Sequence, residues 1–185
     1  NNVSATPTSN YAKSGNGYAK ITFLSPQYLE RTNTKLNNVR YIKDCINGSN
    51  ITANNHWVEL KAIYQGINVA KNKTVTGTSP YNASYKPYTA ITDEDINYAN
   101  YSQASISGAL QCITVDLKES YDLDEIGVWH YWQGGRTYNS NTTYVSSDNT
   151  TWTPVMANTN AESSEGKVVT AQDPNITINP VYNLT

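Results

Sequence analysis

The chain has 185 residues, of which 38% are apolar and 15% are charged, and its formal net charge is −2. This near balance of charge excludes the strongly basic surface by which proteins bind nucleic acids. The sequence contains no run of basic residues, which excludes the polybasic segments that bind anionic membranes. The apolar fraction is high enough for a packed core. Asn, Ser, Thr and 15 Tyr residues take the place of charged residues, which suits a neutral ligand rich in hydroxyl groups.

The beginning of the chain differs from the rest. A glycine-containing turn leads into one predicted strand, Tyr18–Leu24, and a single strand cannot bury its own apolar face. We therefore predict that residues 1–34 form an N-terminal extension or the end of an upstream region, and that residues 35–185 form the main domain.

Along the main domain, short runs of β-branched and aromatic residues alternate with turn residues. Ile113, Val115 and Leu117 recur at every second position, which is the period of a half-buried strand. Only Gln27–Leu36 and Ser79–Ile91 could hold a helical turn. Many short strands at this spacing predict an all-β sandwich or barrel. The predicted strands are Val39–Ile46, His56–Ile63, Val75–Thr78, Gln111–Leu117, Glu125–Trp132, Asn141–Ser146, Trp152–Met156 and Lys167–Ala171.

The two cysteines, Cys45 and Cys112, are too few for a disulfide-stapled scaffold. The alternation that turns Ile113, Val115 and Leu117 inward places Cys112 on the opposite face of its strand. Two isolated thiols are the favoured interpretation, and a Cys45–Cys112 bridge is the alternative.

Five segments of the main domain carry a family resemblance: Trp57–Ala62, Gly66–Thr76, Ala90–Asp93, Ile113–Leu117 and Val145–Trp152. In this combination the chain resembles discoidin domains, which include the coagulation-factor type-C domains and the family 32 carbohydrate-binding modules. The resemblance covers residues 37–171. It implies an antiparallel jelly-roll β-sandwich that binds its ligand with loops at one end.

The order of these segments departs from that of the family. Strands like Arg40–Lys43 and Trp57–Ala62 usually close the domain, whereas here they precede the opening segment at Gly66. A jelly roll without its last two strands would have open edges. We therefore predict a circular permutation, the alternative being that these strands end a preceding repeat. The segment Ser14–Phe23 resembles the end of a glycine-rich region in phage structural proteins, which favours a tail or head-fibre setting.

Oxygen-bearing side chains alternate in one loop, at Asp93, Asp95 and Asn97. This pattern suits a hard cation such as Ca²⁺, which binds several oxygen ligands, and a solvated acidic turn is the alternative. The family resemblance implies a structural calcium at this loop, joined by Glu59 from a distant strand. The loop departs from the family pattern at Glu94, where relatives commonly carry Gly.

The aromatic segment Glu125–Trp132 leads into a Gly-Gly turn that is followed by Arg136. Flat aromatic rings and Arg or Asn donors are the groups that sugar sites combine. The resemblance implies ligand contacts from an Arg and from an Asn five residues later, and Arg136 and Asn141 match that spacing. Arg136 is expected to be unburied. Trp129 is interpreted as core, and Trp132 as either core or site. The predicted aromatic contacts are Trp132, Tyr138, Tyr98 and Tyr101, the last two in place of a histidine that relatives use.

Catalysis finds little support in the sequence. No Cys–His signature, G-x-S-x-G or H-E-x-x-H motif occurs, so neither a nucleophile nor a catalytic metal set is indicated. His56, next to Trp57, is interpreted as a packed strand residue. The chain is therefore predicted not to be an enzyme.

The predicted function is glycan binding for adhesion or receptor recognition, in an extracellular, cell-surface or virion setting and within a larger multimeric fibre. The alternative is a structural or assembly domain of a phage fibre or cell-surface appendage, without a sugar ligand. Only the binding role predicts an exposed aromatic side chain beside Arg136. Membrane binding ranks lower, because loops such as Tyr81–Pro87 offer tyrosines but few large aliphatic side chains.

Overall fold

A computed structural model describes residues 34–171, and within them the chain forms ten β-strands and no α-helix. Two short 3-10 segments span Thr34–Leu36 and Tyr88–Thr92. The all-β prediction is confirmed. The strands are β1 (Val39–Ile46), β2 (His56–Tyr64), β3 (Ile67–Asn68), β4 (Thr74–Gly77), β5 (Ser102–Gln103), β6 (Gln111–Tyr121), β7 (Glu125–His130), β8 (Thr142–Ser146), β9 (Thr153–Ala157) and β10 (Lys167–Thr170).

The first sheet has five antiparallel strands in the order β4-β6-β1-β8-β9. Its central strand places Ile42 opposite Val115 of β6 and opposite Val145 of β8. All three side chains are buried, because residues that face one another across antiparallel strands point to the same side of the sheet. This row forms one wall of the core.

The second sheet has the order β10-β7-β2-β3, and β5 also pairs with β2. Strands β2 and β7 form its longest ladder, in which Leu60 lies opposite Val128. The first five residues of β2, His56–Leu60, are buried in succession. Both faces of this stretch are therefore covered, which places Glu59 out of reach of solvent.

The inner faces of the two sheets share one hydrophobic cluster. Ile113, Val115 and Leu117 of the first sheet are fully buried in it, as are Trp57 and Leu60 of the second. The residues between the three apolar positions of β6 are partly exposed, which confirms the predicted alternation. The two antiparallel sheets thus form a β-sandwich around a common core.

Every strand predicted within residues 34–171 has an observed counterpart, and both segments predicted to hold a helical turn contribute a 3-10 segment. The two-residue strands β3 and β5 were not predicted, because two residues cannot show a period. Strand β7 ends at His130 rather than at Trp132. The predicted strand Tyr18–Leu24 and nearly all of the predicted extension 1–34 lie outside the described residues.

The prediction of two isolated thiols is wrong, because Cys45 and Cys112 form a disulfide. The two cysteines lie directly opposite each other in the β1–β6 ladder, with Cα atoms 4.1 Å apart. Alternation along β6 indicated which face Cys112 occupies. It could not indicate the register that brings Cys45 to the same place from 67 positions away.

The strands that precede Gly66 are integral to the sandwich, since β1 lies inside the first sheet and β2 inside the second. The two ends of the described range also approach one another. Leu123 N donates to Leu36 O at 2.9 Å, and Ala171 N donates to Asp124 O at 2.7 Å. The chain near residue 36 and the chain near residue 171 therefore both adjoin the turn between β6 and β7.

Candidate functional site

Three connecting segments meet at one end of the sandwich: residues 47–55 after β1, residues 98–104 around β5, and residues 131–141 after β7. Backbone hydrogen bonds tie them together: Asn47 N to Asn139 O at 2.8 Å, Asn50 N to Thr137 O at 3.0 Å, and Ala104 N to Asn55 O at 3.1 Å. Loops that a rigid scaffold holds in this way present side chains at fixed positions.

Five aromatic side chains contact one another across this end, and we call them the aromatic cluster. In order of contact they are Trp132, Tyr98, Tyr131, Tyr101 and Tyr85. Successive ring centroids are 5.8, 5.9, 4.9 and 5.0 Å apart. Tyr85 and Tyr98 are 38% and 39% exposed, and the other three are half-buried. The cluster therefore presents ring surface to solvent.

The structure places the candidates Trp132, Tyr98 and Tyr101 in one cluster, and it adds Tyr131 and Tyr85, which were not among the predicted residues. Ligand contacts by these residues stay a prediction. In a strand that continued through both residues, alternation would turn Tyr131 and Trp132 to opposite faces. Because β7 ends at His130, both rings turn towards Tyr98. The tyrosine-rich segment Tyr81–Pro87 was the only signal for Tyr85.

Arg136 lies beside the aromatic cluster, with its guanidinium carbon 4.9 Å from the centroid of the Tyr131 ring. The expectation that Arg136 is unburied is wrong, since only 8% of it is exposed. Its Nη1 donates to Thr52 Oγ1 at 3.1 Å and to Ser49 Oγ at 3.4 Å, and its Nε donates to Gln133 O at 3.5 Å. The burial arises because the segment after β1 packs against the turn that carries Arg136.

Tyr138 is 3% exposed and lies beneath the aromatic cluster rather than in it. Its hydroxyl is 3.0 Å from Nδ1 of His56, whose Nε2 is 3.0 Å from Gln103 Oε1. Since an amide oxygen only accepts, Nε2 carries the proton and the Tyr138 hydroxyl donates to Nδ1. Burial, together with the nearby Arg136 charge, lowers the pKa of His56 to about 4. His56 is thus the packed, neutral strand residue that the sequence predicted.

Asn141 is 5% exposed. Its Nδ2 donates to Glu162 Oε1 at 3.0 Å, within the buried interior. The amide of Asn141 and the guanidinium of Arg136 therefore have different partners. The exposed Arg–Asn pair expected from their spacing is not formed. A ligand contact by Asn141 stays a prediction.

Glu162 belongs to a buried charge network around His130, in which all side chains have 0% exposure. His130 Nε2 is 2.8 Å from Asp44 Oδ2, and Nδ1 is 3.4 Å from Glu162 Oε2. The second contact joins opposite charges without the geometry of a hydrogen bond. Burial by itself lowers the pKa of His130, but the Glu162 and Asp44 carboxylates outweigh it and raise that pKa to about 10. His130 is therefore a structural cation.

The acidic loop after Thr92 folds through a series of side-chain to backbone hydrogen bonds. Asp93 Oδ1 accepts from Asp95 N at 2.9 Å, Asp95 Oδ1 accepts from Asn97 N at 2.9 Å, and Asn97 Oδ1 accepts from Ala99 N at 3.0 Å. Each side chain thus bonds the amide two positions further on, as in Asx turns. The alternating spacing has a local structural role in this loop.

Glu59 reaches the acidic loop from β2. Its Oε2 accepts from Glu94 N at 3.1 Å, while its Oε1 is buried and has no hydrogen-bond partner within residues 34–171. Burial raises the pKa of Glu59 to about 8; the Glu94 amide opposes this rise, and the Asp93 charge adds to it. Glu94 itself has a φ of +73°, which lies in the left-handed region that favours glycine.

Among residues 34–171 there is no cluster of three or more His, Cys, Asp or Glu side chains that could hold a metal ion. The unpartnered oxygen of Glu59, close to Asp93, is nevertheless an environment that a cation would satisfy. Asp95 and Asn97 each direct one oxygen to a backbone amide. Of the four predicted ligands, the structure thus brings Glu59 and Asp93 to one place.

No helix in the described part of the chain is long and apolar enough to cross a membrane. A β-sandwich can host many unrelated functions, so the function is inferred from the residues of the site and not from the fold. Comparison of this chain with protein-family models, curated proteins and solved structures yields no match.

Proposed function

We propose that this protein binds glycans without catalysing a reaction, and that the aromatic cluster is its contact surface. The observation that carries the proposal is the exposed ring surface of Tyr98 and Tyr85, continuous with Tyr131 beside Arg136. A sugar has an apolar C–H face and a rim of hydroxyl groups, so its site needs aromatic rings next to hydrogen-bonding groups. The cluster supplies both, since four of its five members are tyrosines.

Tyr98 and Trp132 are the proposed stacking residues. Their rings meet at an interplanar angle of 70°, so together they form an angled surface against which one sugar ring could rest. The hydroxyl groups of Tyr85 and Tyr101 can donate to or accept from sugar hydroxyls. Each such contact contributes about 0.5–1.5 kcal/mol, because water competes for the same groups.

The absence of catalysis is part of the proposal. Burial raises the pKa of Glu59 to about 8, and the Glu162 and Asp44 carboxylates raise the pKa of His130 to about 10. These two acid–base groups are 0% and 1% exposed. A general acid or base must reach within hydrogen-bond distance of its substrate. Neither group has access to one in this arrangement.

We also propose that the sandwich is a circularly permuted, discoidin-like jelly roll in an extracellular, cell-surface or virion setting. The integral position of β1 and β2 supports the permutation, and the positive φ of Glu94 matches the Gly of relatives. The Cys45–Cys112 disulfide supports an oxidising compartment. A variant that starts at Gly66 and carries residues 35–65 after residue 171 should fold with a cooperative melting transition. Failure of this rearranged chain to fold would contradict the permutation.

A structural Ca²⁺ at the acidic loop is a further part of the proposal. Glu59 and Asp93 would supply carboxylate oxygens, and the ion would neutralise the unpartnered buried oxygen of Glu59. A ligand that binds only the folded state stabilises it by mass action. We expect 1 mM CaCl₂ to raise the melting temperature of EDTA-treated protein and to leave Glu59→Gln unchanged. An equal response of both proteins would support the solvated acidic turn instead.

A glycan array followed by titration tests the glycan proposal. For the strongest array hit, Tyr98→Ala should weaken binding about 2- to 10-fold, as expected for loss of one aromatic contact. The matched control is Tyr144→Ala, a half-buried tyrosine of β8 on the first sheet. If no glycan binds, or if both variants behave alike, the assembly role predicted from the sequence becomes the better account.

A further inference from the structure

Arg136 is a buried cation without a buried anion. It is 8% exposed, and within residues 34–171 no carboxylate lies within ion-pair distance of its guanidinium. Glu162 adjoins Arg136 through the backbone, since its amide donates to Arg136 O at 2.7 Å. The Glu162 carboxylate points instead to His130 and Asn141.

The hydrogen-bond acceptors and the ring that contact the guanidinium are uncharged at neutral pH. Hydroxyl oxygens of Ser49 and Thr52 accept from Nη1, and the backbone oxygen of Gln133 accepts from Nε. The Tyr131 ring lies against its face. The buried hydroxyl of Tyr138, also uncharged at neutral pH, lies close enough to Arg136 to interact with it. Nη2 has no bond of full hydrogen-bond geometry to a protein oxygen among residues 34–171.

Removal of a charge from water is unfavourable unless an opposite charge compensates it. The buried cation His130 is compensated in this way by two carboxylates. Arg136 has no such partner among residues 34–171. A missing counter-charge beside a ligand surface indicates that the ligand brings it.

We propose that Arg136 binds the carboxylate of an acidic sugar, so that the protein prefers glycans containing uronic or sialic acid over neutral ones. The inference rests on the proposed glycan-binding function and specifies its ligand class. Guanidinium and carboxylate form paired, charge-assisted hydrogen bonds, and Nη2 is available for one of them. The aromatic cluster would then hold the sugar ring while Arg136 holds its acid group.

Two pairs of probes, each differing by an acid group, test the preference without any mutation. Trigalacturonic acid is compared with its methyl ester, and 3′-sialyllactose with the methyl ester of its sialic acid, by calorimetric titration in 20 mM salt. We expect the acidic member of at least one pair to bind about tenfold or more tightly. The pair that responds also distinguishes a uronic-acid ligand from a sialic-acid ligand.

The variant Arg136→Gln keeps hydrogen-bond donors but removes the charge, so it should abolish the difference within the responding pair. Arg136→Lys should retain part of it. Lys118→Gln is the control, because it removes an exposed cation that pairs with Asp116 on β6. The melting temperature of Arg136→Gln should equal or exceed that of the wild type, since an uncompensated buried charge is removed.

The outcomes separate the two proposals. Equal binding of acidic and neutral members, or an acid preference that survives in Arg136→Gln, overturns the role of Arg136 and leaves glycan binding intact. Failure of every acidic and neutral probe to bind, here and on the array, overturns both. If Arg136→Gln does not fold, the wild-type comparison of trigalacturonic acid with its ester still decides the acid preference.

Discussion

His130 is a fully buried histidine enclosed by two carboxylates, those of Asp44 and Glu162. Its pKa is about 10 in the folded protein against 6.5 for an ordinary histidine. A raised pKa means that the folded state binds the proton more tightly than the unfolded state. The associated stability is therefore fully present below pH 6.5 and is lost as pH rises through 10.

Glu162→Gln should make that decline smaller, because His130 then keeps only Asp44 as a counter-charge and its pKa rises less. Each unit of pKa lost corresponds to about 1.4 kcal/mol. The measurement is urea unfolding between pH 7 and pH 10.5. Glu165→Gln, an exposed neighbour of the same charge, is the control. Identical pH profiles for the two variants would show that the Glu162–His130 contact has no energetic weight.

Glu59 changes stability with pH in the same direction as His130, because its pKa is raised as well, but over a lower pH range. Its pKa rises from 4.5 to about 8 because of burial, so its stabilising protonated form is present below pH 4.5 and is lost as pH rises through 8. In EDTA at pH 8, Glu59→Gln should therefore have a higher melting temperature than the wild type. The increase should be about 2–8 °C for each kcal/mol by which the ionised Glu59 carboxylate destabilises the folded state. The difference should vanish at pH 4.5. A difference that does not change with pH would contradict ionisation as its cause, and exposed Glu119→Gln controls for net charge.

At the scale of strands, the Cys45–Cys112 bridge fastens β1 to β6 across 67 residues of chain. A cross-link of this kind restricts the unfolded chain, typically by about 2–4 kcal/mol. The double variant Cys45→Ser, Cys112→Ser should lose that much free energy of unfolding in urea. Dithiothreitol should lower the stability of the wild type to the same level and leave the double variant unchanged. Full reduction is verified by thiol titration. If the fully reduced wild type is as stable as the oxidised protein, this role of the disulfide is refuted.

On the second sheet, the Trp129 ring packs over two glycines, Gly127 of β7 and Gly166 just before β10. A Cβ at Gly166 would lie 2.5 Å from the Trp129 ring, whereas one at Gly66 would meet nothing within 4 Å. Gly166 and Gly66 both have positive φ, +69° and +77°, so an Ala substitution at either position carries similar backbone strain. Gly166→Ala should destabilise the protein by about 1–3 kcal/mol more than Gly66→Ala in urea unfolding. Equal losses would mean that the Trp129 ring moves aside freely.

For the whole molecule, the proposed site is an exposed surface at one end of a rigid sandwich and not an enclosed cleft. A few water-competed contacts give weak binding by a single copy, on the order of millimolar. Display of several copies on one particle should raise the apparent affinity about 10²- to 10⁴-fold. We expect a biotinylated protein assembled on streptavidin to bind immobilised glycan that the free protein does not retain, and a Tyr98→Ala assembly to bind less. Equal retention of free and assembled wild type would contradict this expectation.

Alternation along the chain was enough to locate the strands and the core, because the period of two is a local property of extended backbone. Ile113, Val115 and Leu117 could therefore be assigned to the interior from sequence. The aromatic residues Trp132, Tyr98 and Tyr101 could be named as candidates by their chemistry, although nothing local showed that they are in contact.

Tertiary structure decided what depends on register and on loop packing. The Cys45–Cys112 pairing required the alignment of two strands that lie far apart in sequence. The burial of Arg136 without a counter-charge required residues 47–55 to pack against its turn. Tyr131 joined the aromatic cluster because β7 ends one residue before it. Long-range contacts of this kind arise from the summed packing of the whole chain, so the sequence by itself determined the strands, and the fold determined the site.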